Sequence, residues 1–286
     1  MLKLVILIIY FAVLIGIGLY CRKHATDVNG FVLGGRSVGP WLTAFAYGTS
    51  YFSAVVFVGY AGQFGWKYGI AATWAGIGNA IIGSLLAWVV LGRRTRIMSQ
   101  HLDSATMPQY FGKRFGSNPL KISASVIIFI FLIPYTASLY NGLSRLFGMA
   151  FNIDYSVCII IMATLTAIYV IAGGYMATAI NDFIQGIIML FGIVAVIAAV
   201  IHSKGGFMSA LQGLANVSDP AVSDTPGIFA SFFGPDPFNL LCVVILTSLG
   251  TWGLPQMVQK FYAIDNEASI QKGTVISTIF ALIVSG

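Results

Sequence analysis

The chain has 286 residues, of which 58% are hydrophobic and only 8% are charged, and its mean hydropathy is +0.88. This balance excludes a soluble globular domain and is typical of a membrane protein with several spans. The net charge of +6 does not indicate a nucleic-acid partner, because the basic residues stand in short connections between apolar runs, where they set topology.

Eight apolar runs predict membrane-spanning helices, most of them near the ~20 residues that a bilayer requires. The predicted spans are residues 4–20, 42–60, 70–91, 122–142, 155–171, 180–201, 238–254 and 274–286. The first is interpreted as a retained helix, because Cys21, Arg22, Lys23 and His24 follow it where a signal peptide would have a small-residue cleavage site.

The basic residues predict the orientation of these spans. With the N-terminus outside, eleven of the Lys and Arg residues, Lys260 among them, fall in cytoplasmic connections and four fall outside. The positive-inside rule therefore predicts a multi-pass protein of the cell membrane with an external N-terminus. The polar segment 203–237 then becomes an external loop.

The second predicted span is interrupted by Gly48, Thr49, Ser50 and Ser53. Lipid offers no hydrogen bonds, so a helix broken at this depth must satisfy its backbone with protein, water or a bound ion. Broken helices of this kind bind ions and solutes in secondary transporters. A plainer reading is that each hydroxyl bonds the carbonyl of its own helix four residues earlier.

Asp182 is an acid near a membrane boundary, within an otherwise apolar run. A carboxylate is costly there, so it indicates a functional site, although a helix N-cap or first-turn acid is the structural alternative. The last run is only thirteen residues, or about 20 Å of helix against a core of about 30 Å. We therefore expect the chain to be the N-terminal part of a longer protein.

Three segments are similar to the sodium:solute symporter family, which includes sodium/proline, sodium/pantothenate and sodium/sugar transporters. They are LGGRSVGPWLTAFAYGTSYFSA from Leu33, YVIAGGYMATAINDFIQG from Tyr169 and GLPQMVQKFYA from Gly253. The resemblance implies an all-α, leucine-transporter-like fold with a five-plus-five inverted repeat and one extra N-terminal helix. It assigns 1–30 to the extra helix and its loop, 31–202 to the first repeat, 203–237 to the external loop and 238–286 to the start of the second repeat.

The same resemblance implies a sodium ion at the break of the second helix. The backbone carbonyls of Thr49 and Phe52 would hold the ion, with Ser53 beside it, and Asp182 would lie on its inner route of exit. Oxygen ligands suit such a hard cation. The family's further hydroxyl ligands, from a later helix, are absent from this sequence. Tyr51 stands where sodium/proline relatives often carry an aspartate.

Solute-binding candidates are the polar and aromatic residues on helices that face the break. They are Ser50, Tyr51, Ser53, Thr73, Trp74, Tyr135, Asn141, Thr251, Trp252 and Gln256. Trp and Tyr near helix ends are also typical of the interfacial belt.

The resulting hypothesis is sodium-driven symport of a small organic solute, such as an amino acid, by a non-enzymatic, monomeric unit in the bilayer. An integral-membrane enzyme is one alternative, although the cytoplasmic acids Asp27, Asp103, Asp265 and Glu267 are spread apart. A passive ion channel is the other, and no filter-like repeat supports it.

Overall fold

The computed structural model describes residues 2–53 and 55–286, and this part of the chain is built from helices without a β-strand. The α-helices are α1 (Leu2–Cys21), α2 (Val28–Leu33), α3 (Pro40–Tyr51), α4 (Gly62–Tyr68), α5 (Thr73–Gly78), α6 (Arg93–His101), α7 (Met107–Phe115), α8 (Asn118–Phe151), α9 (Tyr155–Ser203), α10 (Phe207–Ala215), α11 (Pro237–Gly250), α12 (Pro255–Ala263) and α13 (Glu267–Ser285). Wider π-helical turns (Val55–Ala61, Asn79–Leu86 and Trp88–Gly92) and short 3₁₀ segments join several of them into longer rods.

Five described helices are long and apolar enough to cross a membrane, or six if α11 and α12 form one bent span. Two features explain why eight predicted spans become six long or bent helices in the described structure. The 49 residues of α9 amount to about 74 Å of helix, enough for two passes, and the chain turns at Gly174 (φ 57°, ψ −149°). The predicted span 42–60 is divided between α3 and the π-helical turns that follow it, so neither part is long enough alone.

The first broken helix begins at Pro40 and ends at Tyr51, followed by Phe52 with non-helical φ −91° and ψ 62°. The predicted position of the break is therefore corrected: Gly48, Thr49 and Ser50 lie inside α3. Thr49 Oγ1 donates to the Phe45 carbonyl at 2.9 Å, which is the plainer role of a hydroxyl in a membrane helix. The close contact with α13 explains why position 48 is a glycine, because a Cβ there would collide with the ring of Phe280.

The second broken helix has a sequence reason for its break. After α11 ends at Gly250, a single 3₁₀ turn (Thr251–Gly253) leads to Pro255, the first residue of α12. Proline lacks the N–H that would continue the ladder, and the helix bends by 53° at this point. The break places Lys260, which the sequence assigned to a cytoplasmic connection, inside a helix and buried.

The main core lies where α3, α12, α13 and the 79–92 turns meet. Tyr47, Trp88 and Phe261 contact one another edge-on or tilted, with ring centroids 5.1 to 5.7 Å apart, and all three are almost fully buried. Gly273 admits the Trp88 ring, which a Cβ would meet at 2.5 Å. This core holds the two broken helices side by side.

One end of the bundle is closed by backbone pairing between the loop before α3 and the end of α12. Val38 N–H donates to the Ala263 carbonyl at 3.3 Å, and Asp265 N–H donates to the Val38 carbonyl at 3.1 Å. Two arginines add further bonds. Arg36 donates to the carbonyls of Tyr262, Ser99 and Ser104, while Arg96 donates to those of Ile264 and Asp265. Burial lowers the pKa of the Arg36 guanidinium from its usual value.

Candidate functional site

The break after α3 faces the end of α11 through a small polar cluster. The Tyr51 hydroxyl lies 2.8 Å from Asn79 Oδ1 and 3.1 Å from the Thr247 carbonyl oxygen, and it donates to them. Ser248 Oγ donates to the same Asn79 oxygen at 3.0 Å. These groups are buried and uncharged, so the site beside the break is polar but carries no formal charge on these side chains.

The break of the second broken helix, between α11 and α12, adjoins this cluster. Thr251 Oγ1 donates to the Ser248 carbonyl at 2.9 Å, and Trp252 Nε1 donates to the Ile82 carbonyl at 3.0 Å. The amide of Gln256 is buried, and neither its oxygen nor its nitrogen has a hydrogen-bond partner within the described part of the chain. A buried amide without partners is costly, and it suits a place where a ligand or water supplies them.

Thr49 of α3 and Asp182 of α9 lie on the same side of α9. A Cβ on Gly186 would lie 3.2 Å from Thr49 Cγ2, so α3 and α9 are in close contact at this level. Asp182 precedes Gly186 by four residues and is therefore on the same face, one turn or about 6 Å away. The end of α3 and the carboxylate thus stand at successive levels of one helix face.

Asp182 forms an ion pair with Lys260 of α12. The Lys260 Nζ donates to Asp182 Oδ2 at 3.4 Å, and the lysine side chain is 8% exposed against 23% for the aspartate. The same ammonium lies 5.1 Å from the ring centre of Tyr175, a cation–π contact. The pair therefore joins the part of α9 that follows Gly174 to α12, which forms the second half of the second broken helix.

Two residues of α9 close to Asp182 in the chain carry buried polar atoms without a hydrogen-bond partner in the described part of the structure. The Tyr175 hydroxyl and both amide atoms of Asn181, next to Asp182, are buried without a hydrogen-bond partner among the described residues. The same part of the chain holds no group of three or more His, Cys, Asp or Glu that would bind a metal.

The remaining predicted residues are spread more widely. Ser50 and Ser53 are half-buried at the end of α3, whereas the others stand away from it in the contacts that they make. Thr73 bonds the Ile70 carbonyl, and Trp74 Nε1 donates to Phe232 of the 203–237 loop at 2.9 Å. Tyr135 is half-buried in α8, and Asn141 is an exposed acceptor of bonds from Arg145 and Tyr155.

Three residues of the site were not found from the sequence: Asn79, Ser248 and Lys260. Asn79 is an isolated amide in an apolar run, which was a usable signal. Ser248 resembles many membrane-helix serines, and the sequence predicts that Lys260 lies in a cytoplasmic connection. Their roles depend on partners 28 to 169 residues away along the chain, which local patterns do not contain.

Comparison with protein families gives a match to the model described as the sodium:solute symporter family over residues 31–286. Among similar proteins, the osmoregulated proline transporter OpuE of Bacillus subtilis (strain 168) is 31% identical over 261 residues. A sodium/proline symporter of Staphylococcus aureus (strain JH9) is 32% identical over 282 residues. These alignments cover 90% and 94% of this chain but 51% of each relative, so the chain spans about half their length.

A solved structure gives a similar result for the fold. A Na⁺-coupled sialic acid symporter in a substrate-bound outward-open state superposes with a TM-score of 0.73 at 17% identity, over 100% of this chain and 60% of the other. This similarity confirms the predicted all-α, leucine-transporter-like fold. The repeat boundaries within the chain stay a prediction.

Proposed function

Because the chain belongs to the sodium:solute symporter family, we propose that it takes part in sodium-coupled uptake of a small organic solute across the cell membrane. The observation that carries the proposal is the contact of the last turn of α3, at Thr49, with the face of α9 that carries Asp182. A cation released from the break would meet the carboxylate one helical turn further on. The predicted orientation, with the N-terminus outside, makes this direction inward.

In this proposal the sodium ion is held at the break by the carbonyls of Thr49 and Phe52, with the hydroxyl of Ser53. The ladder of α3 reaches Phe52, whose N–H donates to the Gly48 carbonyl at 2.9 Å, and beyond it the Val56 N–H donates to the Ser53 carbonyl at 3.0 Å. A carbonyl outside the ladder is an oxygen ligand that adds no full charge to the membrane. Asp182 then serves as the first acidic contact on the way out.

Lys260 closes that exit in the present conformation. Its ammonium occupies the carboxylate at 3.4 Å, so a sodium ion that reaches Asp182 must displace it. Displacement removes the ion pair between α12 and α9, which otherwise share an apolar cluster that includes Ala179 and Val258. Arrival of the ion is thereby tied to movement of the inner half of the second broken helix, as alternating access requires.

For the solute we propose an amino acid or a similarly small molecule, bound beside the break by Tyr51, Thr251, Trp252 and Gln256. The names of the relatives support this class, since two are proline transporters. The unpartnered amide of Gln256 supports the place. Ser50, Thr73, Trp74, Tyr135 and Asn141 remain further candidates.

The driving force is sufficient. One sodium ion that moves through 100 mV releases about 2.3 kcal/mol, and a tenfold concentration ratio adds about 1.4 kcal/mol. Together they support accumulation of a neutral solute by a factor on the order of 500.

The test is uptake into proteoliposomes of labelled amino acids, sugars, pantothenate and short carboxylates, with an inward sodium gradient or with choline in its place. We expect one class of solute to accumulate only with sodium. Equal uptake in sodium and choline across the panel would contradict sodium coupling, and solute-independent currents would favour a channel.

A further inference from the structure

A single hydroxyl connects the ends of the two broken helices. Tyr51 is the last residue of α3, and Thr247 lies within one turn of the end of α11 at Gly250. The 3.1 Å contact between the Tyr51 hydroxyl and the Thr247 carbonyl therefore spans from one break to the other. Its residues are 196 positions apart in the chain.

This hydroxyl has two acceptors but one proton. Asn79 Oδ1 lies at 2.8 Å and the Thr247 carbonyl at 3.1 Å, so the phenol donates fully to one or shares its proton between them. Asn79 is itself tied to α11 through Ser248. A small shift of Tyr51 therefore changes which of the two acceptors its hydroxyl bonds. Both acceptors are connected to α11, so a change in either bond alters the contacts of that helix.

The position of Tyr51 is fixed by close packing. Its hydroxyl lies where a Cβ on Gly83 would stand, and its ring would come within 2.7 to 3.0 Å of that Cβ. Any larger residue at 83 would expel the tyrosine. On the other side, the ring is stacked on Tyr47 at 6.2 Å between centroids. Tyr51 therefore has little freedom to move except with the backbone of α3.

We propose that Tyr51 is the positioning residue that couples the sodium site to the solute site, an inference that rests on the proposed function. Tyr51 stands between Thr49 and Phe52, whose carbonyls would hold the ion, so sodium binding fixes its backbone. Its hydroxyl then fixes the end of α11, where Thr251 and Trp252 follow. Sodium thereby orders the solute contacts, and the solute strengthens sodium binding in return by the same factor.

Tyr47 supplies a matched control. It is also a buried tyrosine of α3, one turn before Tyr51, and its hydroxyl donates to the Gly83 carbonyl at 2.9 Å. Unlike the Tyr51 hydroxyl, the Tyr47 hydroxyl makes no hydrogen bond to α11 among the described residues. Tyr47→Phe and Tyr51→Phe each remove one buried hydroxyl, but only the second cuts the link between the breaks.

The experiment places a reporter at the end of α11 and uses sodium alone as the ligand. Gly250→Cys is suitable, because a Cβ there meets no atom within 4 Å, and the exposed Cys242 is first replaced by serine. The rate of maleimide labelling of the full chain in proteoliposomes is compared in sodium and in choline. We expect sodium to slow labelling at least fivefold in this background and with Tyr47→Phe, and less than twofold with Tyr51→Phe.

A second variant guards against misfolding of Tyr51→Phe. Ser248→Ala leaves Tyr51 in place but removes the bond that ties Asn79 to α11, and we expect it to reduce the sodium effect at least twofold. A full sodium effect in Tyr51→Phe, or none in the background, would overturn the inference. Sodium-driven uptake is measured separately, so either result leaves the test of the proposed function intact.

Discussion

The two ends of the broken helices differ in how completely their polar groups are satisfied. At the end that the loop before α3 closes, Arg36 and Arg96 donate to five backbone carbonyls, and this loop pairs with the end of α12. Around the breaks and the ion pair, the amides of Gln256 and Asn181 and the hydroxyl of Tyr175 have no partner among the described residues. A region whose polar groups are all hydrogen-bonded is rigid. A region with buried polar groups that lack partners is suited to bind a ligand or to change conformation.

The largest effect is expected where the bonded end is damaged. Arg96→Ala leaves the buried carbonyls of Ile264 and Asp265 without their donors, and we expect a loss of about 3 kcal/mol or more of stability. Arg94→Ala, two residues away on an exposed position, is the control and should cost less than about 0.5 kcal/mol. Thermal unfolding in detergent measures both. Similar losses for the two variants would show that the bonded end does not hold the bundle.

The next effect is expected at the ion pair. Lys260→Met removes the ammonium that occupies Asp182, so the exit stays open and sodium crosses without solute. We expect at least a fivefold rise in solute-independent entry of ²²Na⁺ into proteoliposomes. Lys272→Met, at an exposed position, is the control and should show no rise. An unchanged leak in Lys260→Met would mean that the pair is structural and not a closure.

A smaller effect is expected at the first break. Ser53→Ala removes one hydroxyl ligand and keeps the backbone carbonyls, so the sodium concentration for half-maximal uptake should rise about fivefold, equivalent to about 1 kcal/mol. Ser50→Ala, inside α3, should change it less than twofold. If the two variants are equally affected, the hydroxyl at the break has no special part in binding.

The smallest effect is expected at the 203–237 segment, which is predicted to be an external loop. Trp74→Phe keeps an aromatic ring against Phe232, whose centroid is 4.8 Å away, and loses only the bond to its carbonyl. We expect a stability loss of about 1 kcal/mol and faster proteolysis of the 203–237 loop. Protection of that loop identical to the unmodified protein would show that Trp74 does not anchor it.

The sequence predicts the helices of this fold better than the partners of its buried polar groups. Apolar runs and glycines identify the helices, the turn at Gly174 and the presence of a break, because these depend on local hydropathy and backbone freedom. The exact break is shifted from Gly48 to Phe52, since Thr49 and its neighbours satisfy the ladder within the helix. Hydroxyl residues alone do not distinguish a broken helix from an intact one.

Long-range partners are the part that the sequence does not contain. Lys260 counts as a positive charge near the membrane, and only the 53° bend after α11 brings it to Asp182. Tyr51 is predicted as a solute ligand, and its bonds to Asn79 and Thr247 have no counterpart in the local sequence pattern. Both cases arise because tertiary packing decides the partner of a buried polar group.

The most direct test is equilibrium binding of ²²Na⁺ to the purified protein, for the unmodified chain, Asp182→Asn and the exposed-acid control Glu267→Gln. The proposed sodium route predicts saturable binding that competes with unlabelled sodium and not with potassium. After equilibrium loading it also predicts at least tenfold slower release of bound ²²Na⁺ in Asp182→Asn, where the Lys260 ammonium stands unpaired in the exit, and no change in Glu267→Gln. Equal release rates for all three proteins would contradict a route from the α3 break past Asp182.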